Sequence, residues 1–435
     1  MVIDYKKIGF KSGLEIHQQL NTGKLFSRTP SLLRSDAPDF EISRKLHAIA
    51  GETGKVDDAV KHEASLEKEF IYQGYLDSIS LVELDEAPPE LIDNEALEIG
   101  LQIALLLNCE IIPVTQVMRK TVIDGSNTGG FQRTVLIARN GFIETSEGKV
   151  GIESVALEED ACRIISREEK KVVYRLDRLG IPLIEITTAP DLKNAEHVKE
   201  TALKIGELLR VCNVRRGIGT IRQDVNISVT GHPRVEIKGF QDPKIMVKTI
   251  EKEVERQLEK QGESEVRNAL PDGSTKFLRP MPGSARMYPE TDLPLLEISK
   301  NLIDKCKQML PKLISEVRKE LKQQGLSDEM IKLVLSKNKV EEFKQLIGRV
   351  NEADLVAKVL ILWPRDFAKK LALDIPVVES RLHLDVLESV LEALEKKLIE
   401  KHDLRDVLMK IVKGAEVKDA LKIEKVSLDG VEEFV

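Results

Sequence analysis

Four short stretches combine acids, an imidazole and cations in patterns that could do chemistry. In Gly13-Leu14-Glu15-Ile16-His17-Gln18-Gln19-Leu20, an extended strand places Glu15, His17 and Gln19 on one face and Leu14, Ile16 and Leu20 on the other. A carboxylate and an imidazole two residues apart can reach one cation, although a solvated strand face has the same alternation. Leu157-Glu158-Glu159-Asp160-Ala161 sets three consecutive acids after the apolar run Val155–Leu157. Adjacent carboxylates repel unless a cation or open solvent relieves them. In Gly180-Ile181-Pro182-Leu183-Ile184-Glu185-Ile186-Thr187, Glu185 must face the side opposite Ile184 and Ile186. Burying a lone carboxylate is costly, which leaves a ligand or a buried ion pair as its role. Finally, Ser284-Ala285-Arg286-Met287-Tyr288-Pro289-Glu290-Thr291-Asp292 offers Arg286, whose planar fork can grip a phosphate or pair with an acid.

The elements that must carry these residues are legible on either side. Ile221, Val225, Ile227 and Val229 alternate with Arg222, Asp224, Asn226 and Ser228, and Val235 and Ile237 alternate with Arg234, Glu236 and Lys238. With Gly231-His232-Pro233 as the turn, this predicts an antiparallel hairpin whose polar face could floor a cleft. Helical spacing links Val198, Ala202, Ile205, Leu208 and Cys212 after a start at Asn194, and likewise Met246, Ile250, Val254 and Leu258. Asp93 predicts the cap of a helix reaching Asn108. The expected class is α+β, with a mixed, largely antiparallel sheet. Beyond about residue 299 the pattern becomes helical throughout: 302–324, 327–335, 340–348, 351–360, 382–400 and 402–412, with Gly325, Pro364 and Pro376 as breaks.

Composition narrows the class. The 435 residues are 42% hydrophobic, enough for two or three domains. The net charge of −7 comes entirely from residues 1–300, so a polyanion must be met by local patches rather than by the global field. Cys109, Cys162, Cys212 and Cys306 share no short spacing, which predicts neither a disulfide framework nor a zinc knuckle. Met1–Lys6 does not read as the start of a secretion signal, and no apolar run is long enough for a bilayer, so a cytoplasmic location is expected. The loop Asp124–Gly130 is Gly-rich but lacks the Gly-Lys-Ser/Thr of a phosphate loop. Gly217-Ile218-Gly219 lacks the third glycine of a dinucleotide fold. No nucleophile motif able to hydrolyse an amide is present.

Taken together and in order, Gly13–Leu20, Lys24–Ser27, Leu157–Ala161, Pro182–Ile186, Arg222–Ser228, Glu236–Lys238 and Arg286–Asp292 resemble the GatB/GatE family of tRNA-dependent amidotransferases. Gln18-Gln19 and Met287–Asp292 are closer to its archaeal-type E branch than to its bacterial B branch. The resemblance implies a glutamine-synthetase-like cradle over 1–298, a helical domain over 299–400 and the start of a tail domain over 401–435. It implies metal ligands at His17, Glu159 and Glu185 with Glu15 close by, holding Mg2+ (or Mn2+ in its place), and ATP as co-substrate. Arg222, Lys238 and Arg286 are the expected ATP or phosphate contacts. The implied reaction phosphorylates the side-chain carboxylate of Glu on tRNA(Gln), after which ammonia displaces the phosphate. The ammonia would come from an asparaginase-like glutaminase, the family's D-type partner, in a hetero-oligomer. Two departures stand out: the synthetase-like insert usual before the segment matching Glu265–Gly273 is missing, and the chain ends at Val435 where a tail would continue. The alternatives are a catalytically silent tRNA-binding scaffold, or a B-type chain acting on Asp- and Glu-tRNA with a bacterial-type amidase.

Overall fold

The computed structural model describes residues 3–48, 54–56, 58–240, 243–259, 262–283, 286–337 and 339–422. Two compact units divide the chain, Met1–Pro311 and Lys312–Val435. The first is built on an eleven-stranded sheet. Its centre runs, in spatial order, Val235–Phe240, Ile221–Ser228, Lys11–Gln19, Pro182–Thr188, Gly148–Glu159, Phe131–Thr145 and Val117–Thr121. All of these neighbours are antiparallel, and the parallel pairing of Val235–Phe240 with Glu265–Ala269 makes the sheet mixed. The expected α+β class and the 221–238 hairpin are both present.

Helices Asn94–Leu106, Ala195–Leu209 and Pro243–Glu259 pack against the sheet strands. Asp93 accepts from the Ala96 amide at 2.8 Å and Asn194 from the His197 amide at 2.8 Å, the N-caps that the sequence predicted. Gly100 lets the helix Asn94–Leu106 lie close to the sheet, since a Cβ there would lie 3.0 Å from Ile137 and 3.3 Å from Leu157. Leu14, Ile16, Val155, Leu157, Ile184 and Ile186 are buried in the core. The alternate residues of the same strands are left for the opposite face.

A four-stranded sheet of Phe40–Arg44, Glu69–Gly74, Lys171–Arg175 and Arg163–Arg167 braces the Gly-rich loop. The Tyr72 and Tyr174 hydroxyls donate to the carbonyls of Gly125 and Asp124, each at 2.8 Å. Gly125 has φ +87°, and a side chain there would strike the Phe70 ring. That loop is a structural joint.

The second unit contains only helices among its described residues. Phe343, Val356, Phe367, Leu391, Leu404 and Leu408 share one core, so the stretch from 401 onward is not a separate domain there; residues 423–435 lie outside the described residues. The boundary also moves: helix Lys300–Gln308 belongs to the first unit, where Lys305 pairs with Glu98 at 2.5 Å. The helix expected over 302–324 is broken at 309–313, because Leu310-Pro311 denies the second helix a continuous ladder. Pro376 begins a helix rather than breaking one, lying in the first turn of Ile375–Arg381, whereas Pro364 follows a π-helical turn, Lys358–Leu362, that runs straight into Trp363–Leu371. The helix Pro243–Glu259 is followed by the strand Glu265–Ala269 with only a short connection, of which residues 260 and 261 lie outside the described residues. No helix among the described residues is long and apolar enough to cross a membrane.

Candidate functional site

Strand register gathers the chemistry. Residues directly opposed in a sheet point to the same face. Along Lys11–Gln19, His17 is opposed by Glu185 on one side and Arg222 on the other, and Glu15 is opposed by Asp224. Glu185 is opposed by Ala156, which places Glu158, two residues on, with His17 and Glu185. Glu158 opposes Thr134, and Gln132 opposes Lys120, so these too reach the open face. Glu236 joins through Asn226.

Two groups of three potential ligands result. His17 Nε2 lies 3.9 Å from Glu158 Oε2 and 3.9 Å from Glu185 Oε1. Glu15, Asp224 and Glu236 form the second group, with ligand atoms within 4.8 Å of one another in each. Lysines serve both: Lys120 Nζ bonds Glu158 Oε1 and lies 3.6 Å from Glu185 Oε2. Lys238 Nζ bonds Asp224 Oδ2 at 2.7 Å and also contacts Glu236. Asn226 donates to Glu15 at 2.9 Å. Both groups line a single cavity of about 540 Å3, whose rim carries Arg222, Arg234, Arg279 and Arg286. That volume falls in the range of small-molecule sites.

Electrostatics fit a divalent cation. Burial pushes the His17 imidazole down, leaving a neutral ring with a lone pair to offer. Burial, and then repulsion from Glu158, push Glu185 up to about 8. Glu158 is held low despite its burial, first by Lys120 and then by a hydrogen bond from Glu185. A dication beside these two carboxylates would favour the ionised form of Glu185. Glu15 is likewise raised by burial, then by Glu236. One neutral nitrogen and paired carboxylate oxygens form a donor set suited to Mg2+ or Mn2+.

The sequence expectation needs correcting at one ligand and refining at another. Glu159 does not join His17 and Glu185. It opposes Pro182 on the other face, where Arg133 donates to it from its backbone at 3.2 Å and from Nη1 at 3.4 Å. Glu15 belongs to the second group rather than beside His17's. Arg222, Lys238 and Arg286 all line the cavity, with Arg222 also 3.1 Å from Asp160. Ser284 and Ala285 of the Arg286 motif lie outside the described residues. Sequence reasoning put Asp224 and Glu236 on a cleft floor and Glu158 among three acids without counting any of them as a ligand, and it did not single out Lys120. The signal for Glu158 was available, because Val155 and Leu157 are the large apolar residues and Glu159 continues their side of the pleat.

A polar cleft on one face of a mixed sheet, lined by acids and arginines, is suited to a charged ligand. Comparison with known proteins names the class: the model of the GatB/GatE catalytic domain matches residues 10–304, and the chain belongs to that family. Among its relatives is the E subunit of the glutamyl-tRNA(Gln) amidotransferase of Methanocaldococcus jannaschii, 37% identical over 94% of this chain and 87% of the relative. The same subunit of the Methanothermobacter thermautotrophicus enzyme is 33% identical over 93% and 87%. That of Pyrobaculum arsenaticum is 33% identical over 100% and 94%. These alignments run to 553, 542 and 579 positions against the 435 residues here, so each relative carries inserted residues that this chain lacks.

Proposed function

We propose that this chain is the ATP-consuming subunit of a tRNA-dependent amidotransferase, converting Glu on tRNA(Gln) to Gln. The observation that carries the reading is the joint lining of one cleft by His17, Glu158 and Glu185, by Glu15, Asp224 and Glu236, and by a rim of arginines. A carboxylate is a poor acyl donor, so it must first gain a leaving group. One side-chain oxygen of the tRNA-borne Glu attacks the γ-phosphorus of ATP, ADP departs, and an acyl phosphate remains. Ammonia then attacks the carbonyl carbon, inorganic phosphate leaves with the bonding pair, and the nitrogen sheds a proton to give the amide.

Such a phosphoryl transfer needs positioning and charge neutralisation more than a protein nucleophile. Arg222, Arg234 and Arg286 are placed to bind phosphate oxygens, and Lys238 to approach them from the floor. A divalent ion, if held by His17, Glu158 and Glu185, would neutralise part of the phosphate charge. The acids outside that role keep the incoming Glu carboxylate from binding unaccompanied by a cation. In this reading the sheet unit is the glutamine-synthetase-like cradle, and the helical unit holds tRNA by shape and backbone contacts. An asparaginase-like glutaminase of the D type delivers the ammonia.

The test supplies ammonium chloride in place of a partner. Wild-type chain, Glu-tRNA(Gln), ATP and Mg2+ are expected to give Gln-tRNA(Gln) with ADP released in equal amount. ATP-independent product, or none at all while tRNA binding persists, would overturn the assignment in favour of a scaffold.

A further inference from the structure

Each group of acids in the cleft already contains a cation of the chain's own. Lys120 is bonded to Glu158 and sits 3.6 Å from Glu185, and Lys238 bridges Asp224 and Glu236. The arrangement is repeated although the two lysines come from different strands, Val117–Thr121 and Val235–Phe240, on opposite sides of the sheet centre. The bonding is divided at the atomic level: Glu158 turns Oε2 to His17 and Oε1 to Lys120, and Glu185 turns Oε1 to His17 and Oε2 to Lys120. An ammonium and a dication would therefore draw on the same two carboxylates from opposite sides.

We propose that Lys120 and Lys238 are resident counter-ions, holding the carboxylates together before any ligand binds and turning to nucleotide phosphate when the dication arrives. The proposal rests on the reading of the cleft given above and adds what its lysines do. Both side chains have somewhere to go, because both line the same cavity that the arginine rim encloses. A lysine suits this exchange better than an arginine: its ammonium is a single point charge on a flexible stem, free to swing without losing a bidentate pair. Without such a counter-ion the repulsion between the acids would be stronger still. With it, the dication meets a competition that the phosphate then relieves, so metal and nucleotide bind cooperatively.

The measurement is Mn2+ binding to metal-free protein, followed by electron paramagnetic resonance, with and without a non-hydrolysable ATP analogue. Without nucleotide, Lys120→Met is expected to bind Mn2+ about tenfold more tightly than wild type, since a competing charge a few ångströms away is gone. Lys120→Arg, which keeps the charge, should stay within about twofold of wild type. With the analogue present, the advantage of Lys120→Met should vanish and its analogue affinity fall about tenfold, as for loss of one phosphate contact. Lys238→Met provides the same test on the second group, should Lys120→Met fail to fold. Unchanged or weaker Mn2+ binding in the methionine variants would overturn the proposal. If instead wild type holds no Mn2+ that His17→Ala releases, the reading of the cleft itself fails, and the two failures are thereby told apart.

Discussion

Glu158 and Glu159 are neighbours in sequence and occupy different chemical worlds. Glu158 faces an open cavity, a lysine and an imidazole, with Glu185 on the same face. Glu159 faces the closed side, where Arg133 lies between it and the fully buried Glu290, which in turn holds Arg119. The first arrangement gathers acids around one lysine and one imidazole at the edge of an open cavity. The second is closed by arginines, with Glu290 alone receiving bonds from Arg119 at 2.5 and 2.9 Å and from Arg133 at 2.8 Å. One step along a pleated strand separates a site built to receive a ligand from one built to hold the sheet edge together.

The sharpest way to break this comparison is to neutralise each glutamate in turn. Glu158→Gln is expected to lower ATP-dependent amidation by about a thousandfold or more, as for loss of a group acting directly on the transferred charge, with Mn2+ retention lost alongside. Glu159→Gln should keep Mn2+ binding and most of the activity, and show its effect as about 1–2 kcal/mol of lost stability from the weakened Arg133 contacts. Steady-state rates together with thermal melts on both variants check this. A dead Glu159→Gln with full stability would reverse the assignment of the two faces.

On the closed side, Glu290→Gln removes the charge shared by two arginines and should cost about 3–5 kcal/mol, read from denaturant unfolding of the first unit. The pH dependence has a definite sign. Burial opposes ionisation of Glu290, but Arg119 and Arg133 hold it down to about 2, below its ordinary 4.5. Its contribution is therefore present above about 4.5 and is lost as pH falls toward about 2. On the open side the sign is opposite. Glu185 titrates near 8 in the fold and near 4.5 unfolded, so the metal-free protein should lose stability as pH rises between those values. Mn2+ must displace that proton, so its affinity should rise about tenfold per pH unit below 8 and level off above it. A flat Mn2+ affinity between about pH 6 and 9 would show that Glu185 holds no proton for the ion to displace.

Much of this was legible in the chain. Alternation revealed the 221–238 hairpin and its polar floor, and Asp93 and Asn194 announced their helices, because caps and pleats are local. Glu185 could be named since Ile184 and Ile186 fix its side of the strand, and His17 since it shares the face opposite Leu14 and Ile16. The choice between Glu158 and Glu159 went wrong because three acids in a row carry no alternation of their own; only Val155 and Leu157, by facing the helix-covered side, settle it. Lys120 was invisible for a different reason. Its approach to Glu158 depends on the pairing of Val117–Thr121 with Phe131–Thr145 and of that strand with Gly148–Glu159, and no local pattern encodes a register two strands away. Pro376 misled because a proline is silent about whether it ends a helix or opens the next.

The finest test of the boundary between the two faces falls on Gln132. Its amide nitrogen donates to the Glu159 carbonyl at 2.6 Å and lies 3.3 Å from Glu158 Oε2, so one side chain ties the strand carrying both glutamates to the carboxylate on the open side. Gln132→Ala frees Glu158 Oε2 to rotate without touching any charge. Mn2+ affinity should fall about tenfold, the low end for a residue that orients a ligand, because the 3.3 Å contact is long. The Glu159–Arg133 contacts should be unaffected, since they come from the other face. An unchanged Mn2+ affinity would mean that Lys120 alone sets the orientation of Glu158, while a large loss of stability would mean that Gln132 serves the sheet rather than the site.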